Sequence, residues 1–562
     1  MKSAFLSVSI ATLALFGVTA CGGGSSSSSG GSTNGGLIAG AGTPTPTPVT
    51  PASVTISGQA TFDLVPFNNF TNGLDYDSIS QAPIRGATIQ AVDASGDILA
   101  SGQTDDNGDY SLSVPNNTNL QIRVLSEIVQ TGTPGFNVAV VDNTSENALY
   151  AAQGALLTSG TSNSIRNLNA DSGWNGTQYI SDTARAAGPF AILDPIYDTV
   201  TAFTAVDSDL VLPPIEMGWS PSNIAVSGNS NIGQIGTSSY VSNGNGTGMI
   251  FILGDENADT DEYDRHVITH EWGHYFEDLV SRADTIGGPH GLGDRLDARL
   301  ALSEGFGNAL SGIILDDSVY RDSGGQGQAF GFGFDVESNN NLNPGWFSEG
   351  STQSIIYDIF DGDADGVDNV ALGLGPIYDA LTAPTYINQP TFTTIYSLVD
   401  QIRAEAPGSV AGINAIVAGQ SIVVTDSEGT GETNNGGVPT ALPVFHTLTV
   451  GGPAVEVCSS NEEGTFNALG NRVYVTTNLA VSGAYDLRAI RTSGSLNNNP
   501  DIALQQGADF LGVASSNDTG QEILLNLPLQ AGPLALEVFD VLNVSGFGAN
   551  NRVICYDVSI EL

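Results

Sequence analysis

The sequence predicts a multidomain α+β protein, with a β-sandwich at each end and a mixed domain with helices between them. The chain has 562 residues, which is long enough for three or four hydrophobic cores. It contains 69 glycines, 25 prolines and only 7% aromatic residues, a composition that favours short strands and many turns. Runs that alternate apolar and polar residues occupy both ends of the predicted globular part, whereas apolar residues recur at helical spacing in the middle.

The charge balance limits the partners of the protein. The formal net charge is −45, and the only lysine is Lys2. A surface this acidic repels nucleic acid and anionic lipid, so we expect neither as a direct partner. The same surface suits divalent cations.

Residues 1–20 have the composition of an export signal. The stretch MKSAFLSVSIATLALFGVTAC has one basic residue, an apolar run and small residues before Cys21, and it is too short for a transmembrane helix. It resembles a bacterial lipoprotein signal, which implies acylation of Cys21. Because Gly22 follows, the resemblance also implies an outer membrane or cell surface location. A secretory signal with a chance cysteine is the alternative. Residues 21–52 are rich in Gly, Ser, Thr and Pro and predict a tether, so the lipid anchor would be the only membrane contact.

Residues 53–127 predict the first sandwich. The segment PIRGATIQAVDASGDILASGQTDDNGDYSLSVPNNTNLQIRV alternates apolar and polar residues between ASGD and DDNGD turn signals. It resembles the carboxypeptidase-regulatory or transthyretin-like β-sandwich of secreted enzymes, to which we assign no chemistry. Residues 128–184 are interpreted as a connecting region, and residues 185–449 as the next domain, in which a helix follows Ala184 and GMIFILG forms a buried strand.

The segment DRHVITHEWGHYFED, residues 264–278, predicts a metal-binding helix. Its apolar residues recur at helical spacing, and residues four apart project side by side, so two histidines can bind one zinc. His266 and His274 are about 12 Å apart along such a helix, so only one neighbouring pair can serve. The pair His270 and His274 encloses Glu271, which can deprotonate a zinc-activated water, whereas the pair His266 and His270 offers no base.

A catalytic zinc normally has a third protein ligand. The metzincin pattern is excluded, because Val280 stands where that class has its third histidine. Glu304 and His290 are the candidates. Glu304 lies in ARLALSEGFGNALSGIIL, whose apolar spacing predicts a second helix packed on the first, and His290 lies among glycines in a predicted loop.

These motifs resemble those of the gluzincin metallopeptidases, which include thermolysin and the fungalysins. The segments HEWGH and SEGFGN match the two motifs in the expected order. The resemblance implies a zincin-like catalytic domain with His270, His274 and Glu304 as zinc ligands and Glu271 as general base. One departure is Asn308, since thermolysin-like members have an aspartate there that orients a histidine. An amide can accept the same hydrogen bond without a charge.

Three residues are candidates for the donor that stabilises the oxyanion. Gluzincins use a tyrosine or histidine, and Tyr357, in STQSIIYDIFD, is our first candidate. Tyr320 and His290 are the alternatives. His446 is late and isolated, and we interpret it as structural.

Two acidic segments have the composition of calcium loops. DGDADGVDN concentrates carboxylates at Asp361, Asp363, Asp365 and Asp368, but it lacks the glutamate that completes an EF-hand. GDENADTDEYD, residues 254–264, is the second segment. For both, a solvated acidic turn is the alternative.

Residues 450–562 predict the C-terminal β-sandwich, because NRVYVTTNLAV, AYDLRAIRT and later segments again alternate. The domain resembles the β-sandwich appendages of bacterial secreted peptidases. It contains Cys458 and Cys555, which we expect to form a disulfide in an oxidising compartment, with two buried thiols as the alternative.

Together these features predict a surface-anchored zinc-dependent endopeptidase that hydrolyses peptide bonds of protein or peptide substrates through a zinc-activated water. Calcium is a second candidate cofactor. The alternative hypothesis is a catalytically silent surface adhesin or binding lipoprotein on the same fold. Both hypotheses require the lipid anchor and the β-modules, but only the enzyme requires Glu271.

Overall fold

A computed structural model describes residues 52–362, 369–545 and 553–562 of the protein. The N-terminal part of the described chain consists mainly of strands. In chain order these strands are β1 (Ser53–Leu64), β2 (Ser80–Pro83), β3 (Ala87–Asp93), β4 (Ile98–Gln103), β5 (Asp109–Pro115), β6 (Asn119–Gln130), β7 (Phe136–Asp142), β8 (Ala148–Leu149), β9 (Ala151–Gln153), β10 (Leu157–Thr158), β11 (Ser164–Ile165) and β12 (Leu168–Ala170). Buried and exposed side chains alternate along β5 and β6, as expected for strands that cover a core with one face.

The helices lie in the middle of the chain. The elements of this part are α1 (Gly188–Val206), β13 (Ile215–Trp219), β14 (Ser239–Ser242), β15 (Gly248–Ile252), β16 (Gly254–Asp255), β17 (Asp259–Thr260), α2 (Arg265–Leu279), α3 (Ala298–Leu315), β18 (Val319–Gly324), β19 (Phe330–Asp335), α4 (Glu349–Phe360), α5 (Leu374–Thr382), α6 (Pro384–Ile387), α7 (Ile395–Glu405) and α8 (Val410–Gly419). The segment predicted as a buried strand is β15, and the predicted helix after Ala184 is α1.

Strands return at the C-terminal end. They are β20 (Phe445–Thr447), β21 (Val455–Ser460), β22 (Arg472–Leu479), β23 (Gly483–Ser493), β24 (Pro500–Gln506), β25 (Asp509–Ala514), β26 (Gln521–Leu529), β27 (Gly532–Asp540) and β28 (Val553–Glu561), with α9 (Val541–Ser545) before the last strand. The mixed α+β class predicted from the sequence is therefore observed. None of the helices in the described residues is both long and apolar enough to cross a bilayer.

Two sheets organise the N-terminal and middle parts. A small sheet is built on β1, which pairs with β2, β5, β11 and β12. A large mixed sheet has the order β14-β15-β13-β7-β6-β3-β4. The predicted boundary between residues 127 and 128 falls inside β6, and this strand pairs with β3 on one side and β7 on the other. The N-terminal strands therefore do not close into a separate sandwich, because their sheet continues into the strands beside α2.

The C-terminal part consists of two packed sheets. One has the order β20-β22-β27-β24-β25 and the other the order β21-β28-β23-β26, with a separate apolar core between them. The sandwich begins before the predicted boundary at residue 450, since β20 already pairs with β22. Cys458 and Cys555 are joined by a disulfide and lie opposite each other on the neighbouring strands β21 and β28.

The helix α2 occupies the centre of the middle part. It packs against α1, α3 and the strands β14 and β15. The sequence predicts a helix whose apolar residues recur at helical spacing, but in the structure buried residues occur all around α2, from His266 to Gly273 and from Tyr275 to Glu277. The reason is that neighbouring elements cover it on several sides, so its polar side chains must find partners inside the protein.

A buried ion cluster joins α3 to the C-terminal sandwich. Arg299, in the first turn of α3, donates from Nε to Oδ1 of Asp297 at 3.0 Å and from Nη1 to Oε2 of Glu537 at 2.7 Å. Glu537 lies on β27 and also pairs with Arg472 of β22. The start of the helix that carries Glu304 is therefore attached to the sandwich by charged groups that are shielded from water.

We predict that Arg299→Met lowers the free energy of unfolding by about 3–5 kcal/mol, because it leaves the buried carboxylate of Asp297 without its cation and removes one of the two cations that pair with Glu537. Arg488→Met is the matched control, since the pair of Arg488 with Asp486 is about one-third exposed and should contribute at most about 1 kcal/mol. Denaturant unfolding of both variants measures the difference. Equal losses in the two variants would contradict the prediction.

Candidate metal centre

Two helices that approach closely form the candidate site. α2 carries His270, Glu271 and His274, and α3 carries Glu304. The approach depends on glycine, because a Cβ atom added to Gly273 of α2 would lie 3.3 Å from the Cα of Gly307 in α3. The predicted packing of the second helix on the first is thus observed, and it brings the carboxylate of Glu304 to the two histidines.

The ligand atoms of three residues converge. The Nε2 atoms of His270 and His274 are 3.0 Å apart, and Oε2 of Glu304 lies 3.1 Å from the first and 3.5 Å from the second. Four ligands placed tetrahedrally around zinc at its usual bond lengths are about 3.3 Å from one another. The three atoms therefore have the spacing that such a metal requires.

The hydrogen bonds on the other side of His270 fix its tautomer. Nδ1 of His270 lies 2.9 Å from Oδ1 of Asn308. The amide of Asn308 is oriented in turn, because its Nδ2 donates to Oε1 of Gln353 at 3.0 Å. Its carbonyl oxygen therefore faces the imidazole, and Nδ1 must be the nitrogen that carries hydrogen. This leaves the lone pair of Nε2 directed into the centre.

A second chain of hydrogen bonds has the same effect on His274. The hydroxyl of Ser303 donates to Oε2 of Glu277 at 2.6 Å, so it is left to accept from Nδ1 of His274 at 3.0 Å. Glu277 is itself 3.5 Å from this nitrogen. Both imidazoles thus direct Nε2 lone pairs at each other and at Glu304, an arrangement that is favourable only with a proton or a metal ion between the atoms.

The charges at the centre reinforce one another. Burial opposes ionisation of both Glu304 and His274, but their mutual attraction outweighs burial. As a result the pKa of Glu304 lies well below its usual value and the pKa of His274 lies well above its own. The donor set, with two nitrogens and one carboxylate oxygen, fits zinc.

Glu271 lies beside this centre with one carboxylate oxygen held in place. Its Oε2 accepts a hydrogen bond of 2.7 Å from the backbone N–H of Tyr240, which belongs to the edge strand β14. The side chain is only 8% exposed, and burial raises the pKa of Glu271 above its usual value. Its orientation is therefore set by the sheet rather than by the helix alone.

A second histidine–carboxylate pair flanks the centre. Nε2 of His290 lies 3.3 Å from Oε2 of Glu304, and its Nδ1 lies 2.7 Å from Oε2 of Glu349, the first residue of α4. Burial disfavours the charged imidazole, but the hydrogen bond to Glu349 and the charge of Glu304 outweigh burial and raise the pKa of His290 to about 9. His290 is therefore positioned by a carboxylate although it lies in a loop.

These residues line one cleft with a volume of about 930 Å³. The aromatic rings of Tyr320, Phe332 and Phe334 stack along one wall, with a centroid distance of 4.8 Å between Tyr320 and Phe334. The wall belongs to the hairpin of β18 and β19, and Phe332 is more than half exposed. The cleft thus offers an apolar surface close to the candidate metal centre.

Three residues that the sequence raised as candidates or alternatives are not part of the candidate centre. Tyr357, our first candidate for the oxyanion donor, is not among the residues that line the cleft, and it packs near Gly312 and Phe360. His266 is not among the converging ligand atoms, since its Nδ1 lies 3.0 Å from the hydroxyl of Ser311. His446 lies on β20, outside the cleft.

Several predicted sites lie beyond the described residues. These are the lipidation site Cys21 and the candidate calcium ligands Asp363, Asp365 and Asp368. Asp361 is described, and it follows the last residue of α4. The second acidic segment, residues 254–264, is fully described and forms the hairpin of β16 and β17 before α2.

Sequence reasoning missed the residues that support the centre. Glu277 could have been found, because it lies three residues after His274 and so on the same face of α2. Glu349 and Gln353 of α4 and the backbone of Tyr240 on β14 carried no signal, since these elements meet the centre only in the folded protein.

Gly307→Ala should displace the first histidine. The added Cβ would lie 2.8–2.9 Å from three atoms of the His270 imidazole, so the ring must move, and we expect a loss of about 1–3 kcal/mol in stability together with weaker zinc binding. Gly375→Ala is the matched control, because its Cβ meets no atom within 4 Å. Thermal unfolding with and without zinc compares the two. If zinc raises the unfolding temperature of Gly307→Ala as much as that of Gly375→Ala, the expectation is refuted.

Comparison with known proteins adds little to this geometry. No protein-family model matches the sequence, and no curated protein does. Among solved structures, the pre-peptidase C-terminal domain of a Bacillus anthracis collagenase is 13% identical, covering 21% of this chain and 93% of its own, with a TM-score of 0.15. The periplasmic lysozyme inhibitor PliG of Aeromonas hydrophila is 14% identical, covering 21% and 96%, with a TM-score of 0.14. Likenesses this weak carry no argument, so the proposed function depends on the site itself.

Proposed function

We propose that the protein is a zinc-dependent endopeptidase with a gluzincin-like centre. The observation that carries the proposal is the convergence of His270, His274 and Glu304 at metal-ligand spacing, with Glu271 one residue after the first histidine. The resemblance of HEWGH and SEGFGN to the two gluzincin motifs supports the same assignment. A zinc ion held there would supply a Lewis acid that polarises the scissile carbonyl and makes water more acidic.

Glu271 is the proposed general base. It would accept a proton from the attacking water and transfer it to the nitrogen of the leaving amine as the peptide bond breaks. The amide of Tyr240 holds Oε2 of Glu271, so the carboxylate cannot rotate freely. This hydrogen bond from the backbone N–H of Tyr240 exists without a bound substrate. The proposed base is therefore already positioned when the substrate binds.

His290 is the group best placed to stabilise the oxyanion. The pair with Glu349 orients its ring and favours its protonated form, and its Nε2 is directed toward the metal ligands. A protonated imidazole at this point would donate a hydrogen bond to the carbonyl oxygen as that atom gains negative charge. Tyr320 also lines the cleft, and it is the alternative donor.

The cleft is large enough for a segment of a peptide. Its volume of about 930 Å³ exceeds what one amino acid requires, and its aromatic wall can bind an apolar side chain next to the scissile bond. We propose protein or peptide substrates on this basis.

Hydrolysis of casein and of a quenched peptide library, with and without a chelator, tests the proposed function. We expect cleavage within the chain, loss of cleavage with the chelator and recovery when zinc is restored. If the protein binds zinc but cleaves neither substrate, the result would instead favour the alternative hypothesis of a lipoprotein that binds a partner without cleaving it.

We further propose that the protein is an exported lipoprotein of the outer membrane or cell surface. The lipoprotein-like signal and the tether before residue 53 support this location. Cys21→Ser should abolish acylation and release the protein from membranes in detergent-free fractionation, because the anchor would be the only membrane contact. Membranes that retain the variant would disprove the lipid anchor.

A further inference from the structure

Glu277 is a buried carboxylate behind His274, on the side of the imidazole that does not face the candidate centre. It lies almost one turn after His274 on α2 and is only 2% exposed. Its Oε2 accepts from the hydroxyl of Ser303 at 2.6 Å and lies 3.5 Å from Nδ1 of His274. Because the converging ligand atom of His274 is Nε2, Glu277 contacts the histidine without being a ligand itself.

The negative charge of Glu277 is not balanced by an arginine or lysine. Within the described residues, His274 is the only basic side chain that forms an ion pair with it. Arg282, the next basic residue along the chain, pairs with Asp284 at 2.9 Å instead. A charge that is shielded from water is costly unless an opposite charge compensates it, so the compensation for Glu277 must come from the candidate centre.

The partner behind the other histidine is neutral. Nδ1 of His270 faces Oδ1 of Asn308 at 2.9 Å, and the amide of Asn308 is held in turn by Gln353. In the part of the chain that the structure describes, His270 forms an ion pair with no carboxylate except the candidate ligand Glu304. The two histidines are therefore supported unequally, by an amide behind the first and by a carboxylate behind the second.

We propose that Glu277 is a positioning residue that supplies, partly through Ser303, the negative charge behind the zinc ligands. The proposal rests on the proposed zinc centre. A carboxylate behind a histidine ligand fixes the ring and makes its free nitrogen a stronger donor to a metal. Thermolysin-like members carry this charge behind the first histidine, at the position of Asn308, whereas here it lies behind the second.

The same hydrogen bond joins the two helices of the centre. Ser303 directly precedes Glu304 on α3, and Glu277 lies on α2. The bond from Ser303 to Glu277 therefore connects α3 to α2 immediately beside the third candidate ligand. In this way one carboxylate orients His274 and also restrains the helix that carries Glu304.

Glu277→Gln in the full-length chain tests the role of the charge. The substitution keeps the size of the side chain and an oxygen that can accept from Ser303, but it removes the negative charge. Competition with a chromogenic chelator should show a zinc affinity about 10–100-fold below that of the parent. Glu432→Gln is the matched control, because Glu432 is also buried and accepts from a hydroxyl, that of Tyr396 at 2.8 Å, but does not line the cleft. Its zinc affinity should equal that of the parent.

The double variant Glu277→Gln/Asn308→Asp separates the charge from the shape of the site. Neither substitution changes the size of a side chain, and together they return one carboxylate to the centre, behind His270 instead of His274. We expect the double variant to recover most of the zinc affinity that Glu277→Gln loses. A carboxylate that only stabilises the fold would behave differently, since Glu277→Gln would then lower the unfolding temperature of the metal-free protein and leave zinc affinity unchanged.

Two results would overturn the proposal. One is a zinc affinity of Glu277→Gln equal to that of the parent, and the other is a double variant that binds zinc no better than Glu277→Gln. A parent chain that binds no zinc at all would overturn the proposed function together with this role. The zinc affinity of the parent therefore distinguishes failure of the proposed function from failure of the role of Glu277 alone.

Discussion

Glu271→Gln should reduce peptide hydrolysis by roughly a hundredfold to ten-thousandfold while the protein keeps its zinc. The substitution preserves the size of the side chain and the acceptor for the Tyr240 N–H, but it removes the group that takes a proton from water. Because Glu271 is not one of the three converging ligands, metal content should match that of the parent. Steady-state rates on a quenched peptide and metal analysis of the same sample measure both quantities.

The control for this experiment is Glu405→Gln, at the exposed end of α7. It makes the same chemical change far from the cleft and should leave rate and metal content unchanged. Full activity in Glu271→Gln would require the proposed mechanism to be abandoned. Loss of zinc from that variant would instead show that Glu271 supports the metal.

Glu304→Ala should empty the centre. It removes the only carboxylate among the three converging ligands, and it leaves the Nε2 lone pairs of His270 and His274 facing each other at 3.0 Å. Loss of a residue that merely orients a ligand typically lowers metal affinity about 10–100-fold, so loss of the ligand itself should cost at least about a hundredfold. Competition with a chromogenic zinc chelator measures the affinity, and hydrolysis should be lost in parallel.

His290→Ala is the matched variant for this comparison. Its imidazole contacts Glu304 and Glu349 but is not among the converging ligand atoms, so zinc should remain while the rate falls. If His290→Ala empties the site and Glu304→Ala does not, the ligand assignment is wrong.

The core of the site could be predicted because residues that are close in the sequence determine it. His270 and His274 lie one helical turn apart, so their spacing alone places them side by side, and the apolar pattern around Glu304 predicts the helix that packs on them. The pair of His290 and Glu349 could not be predicted in this way. The two residues are 59 positions apart and belong to a loop and a helix, so only the tertiary fold brings them together.

Helical phase explains the failure for Tyr357. Tyr357 lies on α4, a helix that follows the candidate glutamate ligand in the chain. Apolar spacing predicts that a helix forms but does not state which side faces the cleft. In the structure the first turn of α4 reaches the site through Glu349, while Tyr357 packs against Gly312 at the other end. The extent of the N-terminal strands was unpredictable for a similar reason, since alternation identifies a strand but not its partners.

The ion cluster at the start of α3 has a consequence for how this architecture could evolve. Appended sandwiches are usually regarded as cassettes that domain shuffling can add or exchange. Here Arg299 shares the carboxylate of Glu537 with Arg472, and Glu304 follows only five residues later on the same helix. Truncation before the sandwich would expose this cluster at the base of the helix that holds a candidate metal ligand. An exchange of the C-terminal sandwich would therefore have to keep a carboxylate at the position of Glu537 for the buried charge of Arg299 to remain paired across this junction.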